Sequence, residues 1–330
     1  MVRVAVVGLG WWGRIIVQLL KGSTRVEAVK GVDPSPLAAP FAREQGLPLV
    51  ATLGDALADR DVDAVILATP HSLHTDQIVA AAKAGKHVFC EKPLSLSRAD
   101  ALRAVDAVRS AGVQLAVGHE KRFEPPVLEL ARLAGSGALG TLLQIEANFS
   151  QDKFLALTAD NWRLSAQEAP AGPLTATGIH LIDLSVGFMG PAASLYASVK
   201  QLGSQLANGD TLAVLANFKS GGHALISAVL ATPYDGRFAI YGSKGWAEVR
   251  DKAHPESPQG WTLTTALRGE AKRSADYPPA HAVLANLEAF AAAIEGRAAY
   301  PVPHEQMIAT VSALESIVRS TQSGRIEAVD

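Results

Sequence analysis

The sequence predicts an α/β protein in two parts: an N-terminal doubly wound parallel sheet, then a C-terminal α/β part whose sheet is mixed and mainly antiparallel. Three observations carry this. Short β-branched runs alternate with amphipathic stretches as far as Val117. The glycine pattern Gly8-Leu9-Gly10-Trp11-Trp12-Gly13 directly follows the first run, and beyond Gly118 strand patterns succeed one another with few helices between them. The chain has 330 residues, which at roughly 150 per domain agrees with two domains.

Taken in order, residues 2–7 form a buried-type strand and 14–21 an amphipathic helix. Residues 26–32 form a second strand, closed by Asp33 and the turn Pro34-Ser35-Pro36. Helices over 39–45 and 55–58, a strand over 64–68, a helix over 75–84, a strand over 87–89, a helix over 98–110 and a strand over 113–117 complete the first part. Strands and helices alternating at this spacing imply a parallel sheet covered on both faces. In the second part, strands are expected at 142–149, 195–201, 212–218, 224–230, 238–241 and 261–267, several joined by turns such as Asn208-Gly209 and Gly221-Gly222. Helices are expected at 126–133, 179–188, 281–294 and 305–320. The division falls at 120: residues 1–120 as a dinucleotide-binding domain, 121–330 for substrate binding and oligomerisation, the terminal helices being able to pack back on the first.

With 30 Lys+Arg against 32 Asp+Glu and a formal net charge of -2, the chain offers no broad positive field to nucleic acid or an anionic membrane, and neither is an expected partner. The single cysteine, Cys90, excludes an internal disulfide framework and any zinc site of several thiolates, and points to a cytoplasmic location. The apolar stretch 4–12 has the look of a secretory h-region, but its regular glycines, Arg14 and the missing small-residue cleavage site mark it as mature protein. No run reaches the 18 or so apolar residues of a spanning helix. No histidine spacing suggests a metal site, and none is expected.

The glycine loop is the sharpest local signal. In such a strand–loop–helix unit Gly8 makes the tight turn, Gly10 lets backbone approach a pyrophosphate and Gly13 lets the helix pack on its strand. The phosphates would sit on N–H groups at the helix N-terminus, flanked by Trp11 and Trp12. Asp33, 20 residues after Gly13 at the end of the next strand, stands where a carboxylate holds an adenosine ribose. Two further segments, Ala68-Thr69-Pro70 with His71 and His74, and Gly85-Lys86-His87-Val88 with Glu91-Lys92-Pro93, follow parallel strands at their carboxyl ends, where ligands of such sheets bind.

These segments, with Gly178-Ile179-His180 and Asp183, Arg122-Phe123, Asn161-Trp162-Arg163, Tyr241-Gly242-Ser243-Lys244-Gly245 and the terminal helices, together resemble the Gfo/Idh/MocA oxidoreductases, the glucose-fructose oxidoreductase and inositol dehydrogenase family, over nearly the whole chain. The resemblance implies a Rossmann domain followed by an α/β domain with an open sheet, and an active site in the cleft between them. It implies hydride transfer between a nicotinamide, NAD or NADP, and a hydroxyl-bearing carbon of a sugar, inositol or other cyclic polyol. Lys92 and His180 are the implied catalytic residues, with Asp183 three residues after the histidine toward the substrate. Thr69, Pro70, His74, Glu91 and Lys92 join the glycine loop, Trp11, Trp12 and Asp33 around the cofactor. The open sheet implies a homodimer or homotetramer formed through it.

Physically the roles are coherent. A cation at the reacting oxygen stabilises the alkoxide from which hydride departs, and Lys92 supplies it. An imidazole exchanges protons near neutrality without assistance, which suits His180. His119 and Arg122, after the last strand of the first part, and Arg163 are candidate contacts for substrate hydroxyls or a carboxylate. Inositol-dehydrogenase-like members carry an aspartate four residues before the histidine; here that position is Ala176. On a helix the two positions share a face, so the imidazole lacks that carboxylate. Two other readings stay open: an NAD-dependent glycosidase without net redox change, and a nicotinamide-sensing regulator without chemistry.

Overall fold

A computed structural model of the chain describes residues 1–158 and 161–330. It divides into two compact units, Met1–Glu120 with Val283–Ile308, and Lys121–Ala282 with Ala309–Asp330. The first unit contains, in order, β1 (Val2–Val7), α1 (Trp11–Leu20), β2 (Val26–Val32), α2 (Ala39–Glu44), β3 (Leu49–Val50), α3 (Leu53–Leu57), β4 (Ala64–Leu67), α4 (His74–Lys83), β5 (His87–Cys90), α5 (Arg98–Ala111) and β6 (Leu115–Val117). The six strands lie in the order β3-β2-β1-β4-β5-β6, every pairing parallel. Ala64, Val65, Ile66 and Leu67 of β4 are all completely buried, as a strand covered on both faces requires. The order reverses between β1 and β4, and the crevice beyond the carboxyl ends there is where such sheets bind ligands.

The chain continues with α6 (Pro125–Gly135), β7 (Leu142–Ser150), α7 (Ile179–Met189), β8 (Ala192–Lys200), β9 (Thr211–Phe218), β10 (His223–Val229), β11 (Asp235–Gly242), β12 (Gly245–Asp251), β13 (Trp261–Leu267) and β14 (Arg273–Tyr277), followed by α8 (Ala282–Ile294), α9 (His304–Ser323) and β15 (Glu327–Ala328). Helix α8 belongs to the core of the first unit through Val283, Leu287 and Phe290, whose ring meets Phe89 edge-on at 5.9 Å. The second unit carries a nine-stranded sheet ordered β14-β13-β12-β11-β7-β10-β9-β8-β15, antiparallel throughout except where β10 runs parallel to β7. In β9 and β10 buried and exposed residues alternate, so one face is core and the other open. The core face packs on α7, with Ile145, Phe149, Leu212 and Ile226 against Leu181 and Leu184.

The fold class is as the sequence predicts; the element list needs correction in places. Helix α1 starts at Trp11 rather than 14, because Gly10 is already its cap. Strands β3, β12, β14 and β15 are additional. In β12 only Ala247 and Val249 are core, while Glu248 and Arg250 belong to an ion-pair ladder with Arg237 of β11, which hides the strand's alternation. No helix among the described residues is long and apolar enough to cross a membrane.

Candidate active site

In the first unit the loop from β1 to α1 needs its three glycines for three different reasons. Gly8 has φ +89°, and a Cβ there would lie 2.7 Å from the Ala68 carbonyl oxygen. A Cβ at Gly13 would lie 1.9 Å from the Gly8 carbonyl oxygen. At Gly10 a Cβ would meet nothing within 4 Å, so this glycine is open to a ligand rather than packed. Gly10 caps α1 without any side-chain acceptor, which leaves the helix N-terminus suited to an anion. This surface fits a pyrophosphate. Asp33 ties the loop down: one carboxylate oxygen accepts from the Leu9 N–H at 2.7 Å and the other from the Ser35 N–H at 2.8 Å. Carboxylate oxygens accept more than one bond each, so ribose hydroxyls remain within its capacity.

Beyond β4, Thr69 and Pro70 are half-buried, and the Thr69 hydroxyl donates to Gln77 at 2.6 Å. The His74 ring is completely buried; its Nδ1 lies 2.8 Å from the Pro93 carbonyl and its Nε2 3.1 Å from that of Thr69. It therefore straps the segment after β4 to the segment after β5. The Lys92–Pro93 peptide is cis, and Lys92 itself is half-buried. Glu91 is buried, accepts from the Lys92 N–H at 3.3 Å and lies so close to the chain at Gly118 that a Cβ there would come within 2.5 Å of its Oε2. Burial pushes its carboxyl up to about 7, the neighbouring Glu120 raising it further and Lys92 pulling it down. His119 and Glu120 are buried too, which rules out a solvated loop after β6. Trp11 is half exposed at the mouth of the glycine loop, its ring 5.9 Å from that of Trp12.

In the second unit His180 is the second residue of α7, buried, with its ring 5.8 Å from that of Phe149. The segment leading to it is irregular: Ala171 and Gly172 both have φ +57°, and Leu174–Gly178 is a π-helix. Hydrogen bonds in such a turn reach five residues instead of four, so the α-helical relation expected between positions 176 and 180 is altered. Arg122 and Asp183 form a forked ion pair, Nε to Oδ2 at 2.5 Å and Nη2 to Oδ1 at 2.8 Å, with Thr310 donating to Oδ1 at 3.3 Å. Arg163 stacks its guanidinium on Trp162 at 4.3 Å from the ring centroid. Sequence reasoning missed a buried network beside these. Lys121 donates to Asp251 at 2.8 Å and to Glu124 at 3.1 Å, and the Tyr234 hydroxyl donates to Asp251 at 2.5 Å. Burial works against the Lys121 charge, but Asp251 and Glu124 outweigh it and hold its pKa well above the usual lysine value. The Lys121–Glu124 spacing of three was legible; Tyr234 and Asp251 carry no local signal.

Residues 2–119 match the family model described as oxidoreductase family, NAD-binding Rossmann fold, and residues 127–248 match that of the GFO/IDH/MocA C-terminal domain. The chain belongs to the Gfo/Idh/MocA oxidoreductase family. It is 27% identical to inositol 2-dehydrogenase of Rhizobium meliloti (strain 1021) over 353 aligned positions, 98% of each chain. It is 28% identical to D-xylose 1-dehydrogenase (NADP(+)) 2 of Haloferax volcanii, over 89% of each. Among solved structures, aldose-aldose oxidoreductase from Caulobacter crescentus, complexed with glycerol, superposes with a TM-score of 0.86 over 99% of each chain at 25% identity. As a member of the Gfo/Idh/MocA family the protein is an oxidoreductase with a nicotinamide cofactor, and its glycine loop fits one. Among the described residues no group of three or more His, Cys, Asp or Glu side chains is arranged to hold a metal ion.

Proposed function

We propose that the protein is an NAD(P)-dependent dehydrogenase that moves a hydride between the nicotinamide and a hydroxyl-bearing carbon of a sugar, inositol or other cyclic polyol. The observation that carries this is Lys92. It follows β5 at the carboxyl edge of the parallel sheet, and the strap from His74 to Pro93 holds its segment against the segment after β4. A bound nicotinamide supplies the hydride acceptor or donor. The Lys92 ammonium stabilises the oxygen from which the proton departs, and His180 exchanges that proton. The inositol and xylose dehydrogenases among the relatives support the substrate class.

Gly8, Gly10, Gly13, Trp11 and Trp12 hold the pyrophosphate, and Asp33 holds the adenosine ribose. A carboxylate there repels a 2'-phosphate, and Pro34-Ser35-Pro36 brings no arginine to offset it, so NAD is favoured over NADP. Thr69, Pro70 and Glu91 lie at the nicotinamide end, with His74 acting through the segments it straps. His119 and Arg163 contact substrate. Asp183 and Arg122 support α7 through one another, a role the geometry favours over substrate contact because both charges are already paired.

Lys92→Ala tests this. Turnover of NAD with a polyol panel should fall by roughly 10²-fold or more, while NADH affinity, followed by fluorescence titration, stays within a few fold. A folded variant with near-normal turnover would overturn the assignment.

A further inference from the structure

A buried amide oxygen at the His180 end of the second unit's sheet has no hydrogen-bond partner. Along β7 the core-facing residues are Ile145, Ala147 and Phe149, every second position, and Gln151 is the next on that face. The pairing with β10 runs on past Ser150, the Gln151 N–H donating to the Val229 carbonyl at 2.8 Å, so the alternation holds at this residue. Helix α7 runs antiparallel to β7. The Phe149 ring, near the end of the strand, lies 5.8 Å from that of His180 at the start of the helix, whereas a Cβ on Gly222 would meet the Met189 sulfur at the helix's end at 3.0 Å and the Leu143 carbonyl oxygen at the strand's start at 3.1 Å. Gln151 therefore stands one pleat, about 7 Å, beyond Phe149 and toward the N-terminus of α7, where the π-helix Leu174–Gly178 leads in. Only 6% of the residue is exposed, and its Oε1 is buried without a partner. Buried acceptors are satisfied in the great majority of cases, and one left open beside a candidate catalytic residue points to a donor that arrives with a ligand.

We propose that Gln151 is a specificity-determining residue: its carboxamide receives a second hydroxyl of the sugar or polyol, on a carbon other than the one that exchanges hydride. This rests on reading His180 as the residue that exchanges the proton of the reacting hydroxyl. The amide selects the group it takes. A carboxylate has no proton to offer Oε1, and a neutral amide compensates the charge of a buried ammonium poorly. A hydroxyl both donates and accepts, so it matches the amide in either of the orientations that a half-turn about the last torsion exchanges. No bond is made or broken at Gln151.

The test separates binding from folding. Gln151→Met keeps the length of the side chain and removes its polar atoms. An acceptor that only a ligand satisfies weakens the free protein, so without ligand the variant should melt at the wild-type temperature or above it, whereas a glutamine serving the fold would melt lower when replaced. Affinities for myo-inositol, D-xylose and D-glucose are measured on the NADH complex through the fluorescence of the bound cofactor, and the best-bound of the three is compared with its monodeoxy analogues. In Gln151→Met, NADH affinity should stay within a few fold while polyol affinity falls about tenfold or more. One analogue, lacking the hydroxyl that Gln151 receives, should bind both proteins with the same weakened affinity. A variant that melts lower and binds the polyols as the wild type does would overturn the proposal. So would a deoxy series that the wild type binds uniformly, a result that does not depend on the variant folding. Wild-type protein that binds NADH but none of the three polyols would instead remove the polyol reading beneath the proposal.

Discussion

Ala171 stands where the backbone is left-handed, at φ +57°, immediately before Gly172 with the same φ. A Cβ in that region costs roughly 1–2 kcal/mol, and non-glycine residues held there cluster at functional sites. The neighbouring Gly172 admits no side chain, since a Cβ on it would come within 2.4 Å of the Gly209 carbonyl oxygen. Ala171→Gly should therefore stabilise the protein by roughly 0.5–1 kcal/mol, the relief of strain exceeding the entropy gained by the unfolded chain. Urea denaturation at neutral pH measures it, and a loss of stability would mean that Ala171 is held by its methyl contacts instead. At this scale the sequence was legible where the geometry is local. The glycines Gly8 and Gly13 stand where the backbone admits no side chain, and Asp33 ties the same loop down through the Leu9 N–H. Nothing local connected Glu91 with Glu120 or Lys121 with Asp251, because those pairs are made by tertiary packing of groups 29 and 130 positions apart in the sequence.

Helix α7 carries two of the second unit's candidate residues, His180 and Asp183, and a third, Arg122, pairs with Asp183. The helix is buried on nearly every side, including Ser185, whose hydroxyl donates to the Leu181 carbonyl at 2.7 Å. Asp183 accepts a fork from Arg122, whose Nη2 also donates to the Asp183 carbonyl oxygen at 2.9 Å. Removing one partner of a buried pair typically costs about 3–5 kcal/mol, because the other charge is left buried and uncompensated. Asp183→Asn should thus lower unfolding free energy by about that amount with no substrate present, and leave KM within a few fold. A stable variant with KM raised tenfold or more would place Asp183 on the substrate after all. The strands around this helix were partly legible. β9 and β10, which alternate cleanly, were placed within a residue or so and so was β13, whereas β12 was hidden by its charged ladder and β14 by its polar, largely exposed sequence Arg273-Ser274-Ala275-Asp276-Tyr277. The π-helix before α7 had no signature, since Leu174-Thr175-Ala176-Thr177-Gly178 reads equally well as an ordinary helix start.

The nine-stranded sheet covers only one of its faces with the core, and the open face has a pattern. Tyr196, Leu215 and Leu225 stand opposite one another on β8, β9 and β10, and all three are about 40% exposed, between 39% and 44%. The row continues to Glu146 on β7, which with Glu248 holds Arg237. An apolar row of this kind beside charged residues would suit an interface between two copies, and that is the expectation to test. Two copies related by a two-fold axis would place the same row against itself, and a closed symmetric dimer is the commonest outcome of such a self-complementary patch. The protein should accordingly elute with at least twice the 34.6 kDa chain mass in light-scattering chromatography. Leu215→Glu combined with Leu225→Lys puts opposite charges side by side on neighbouring strands, where each chain tolerates them, but forces both to lose water in the interface. The double variant should run as a monomer with its circular dichroism unchanged. A wild-type protein that is already monomeric at micromolar concentration, or a double variant that remains a dimer, would move the interface elsewhere and leave this face to solvent.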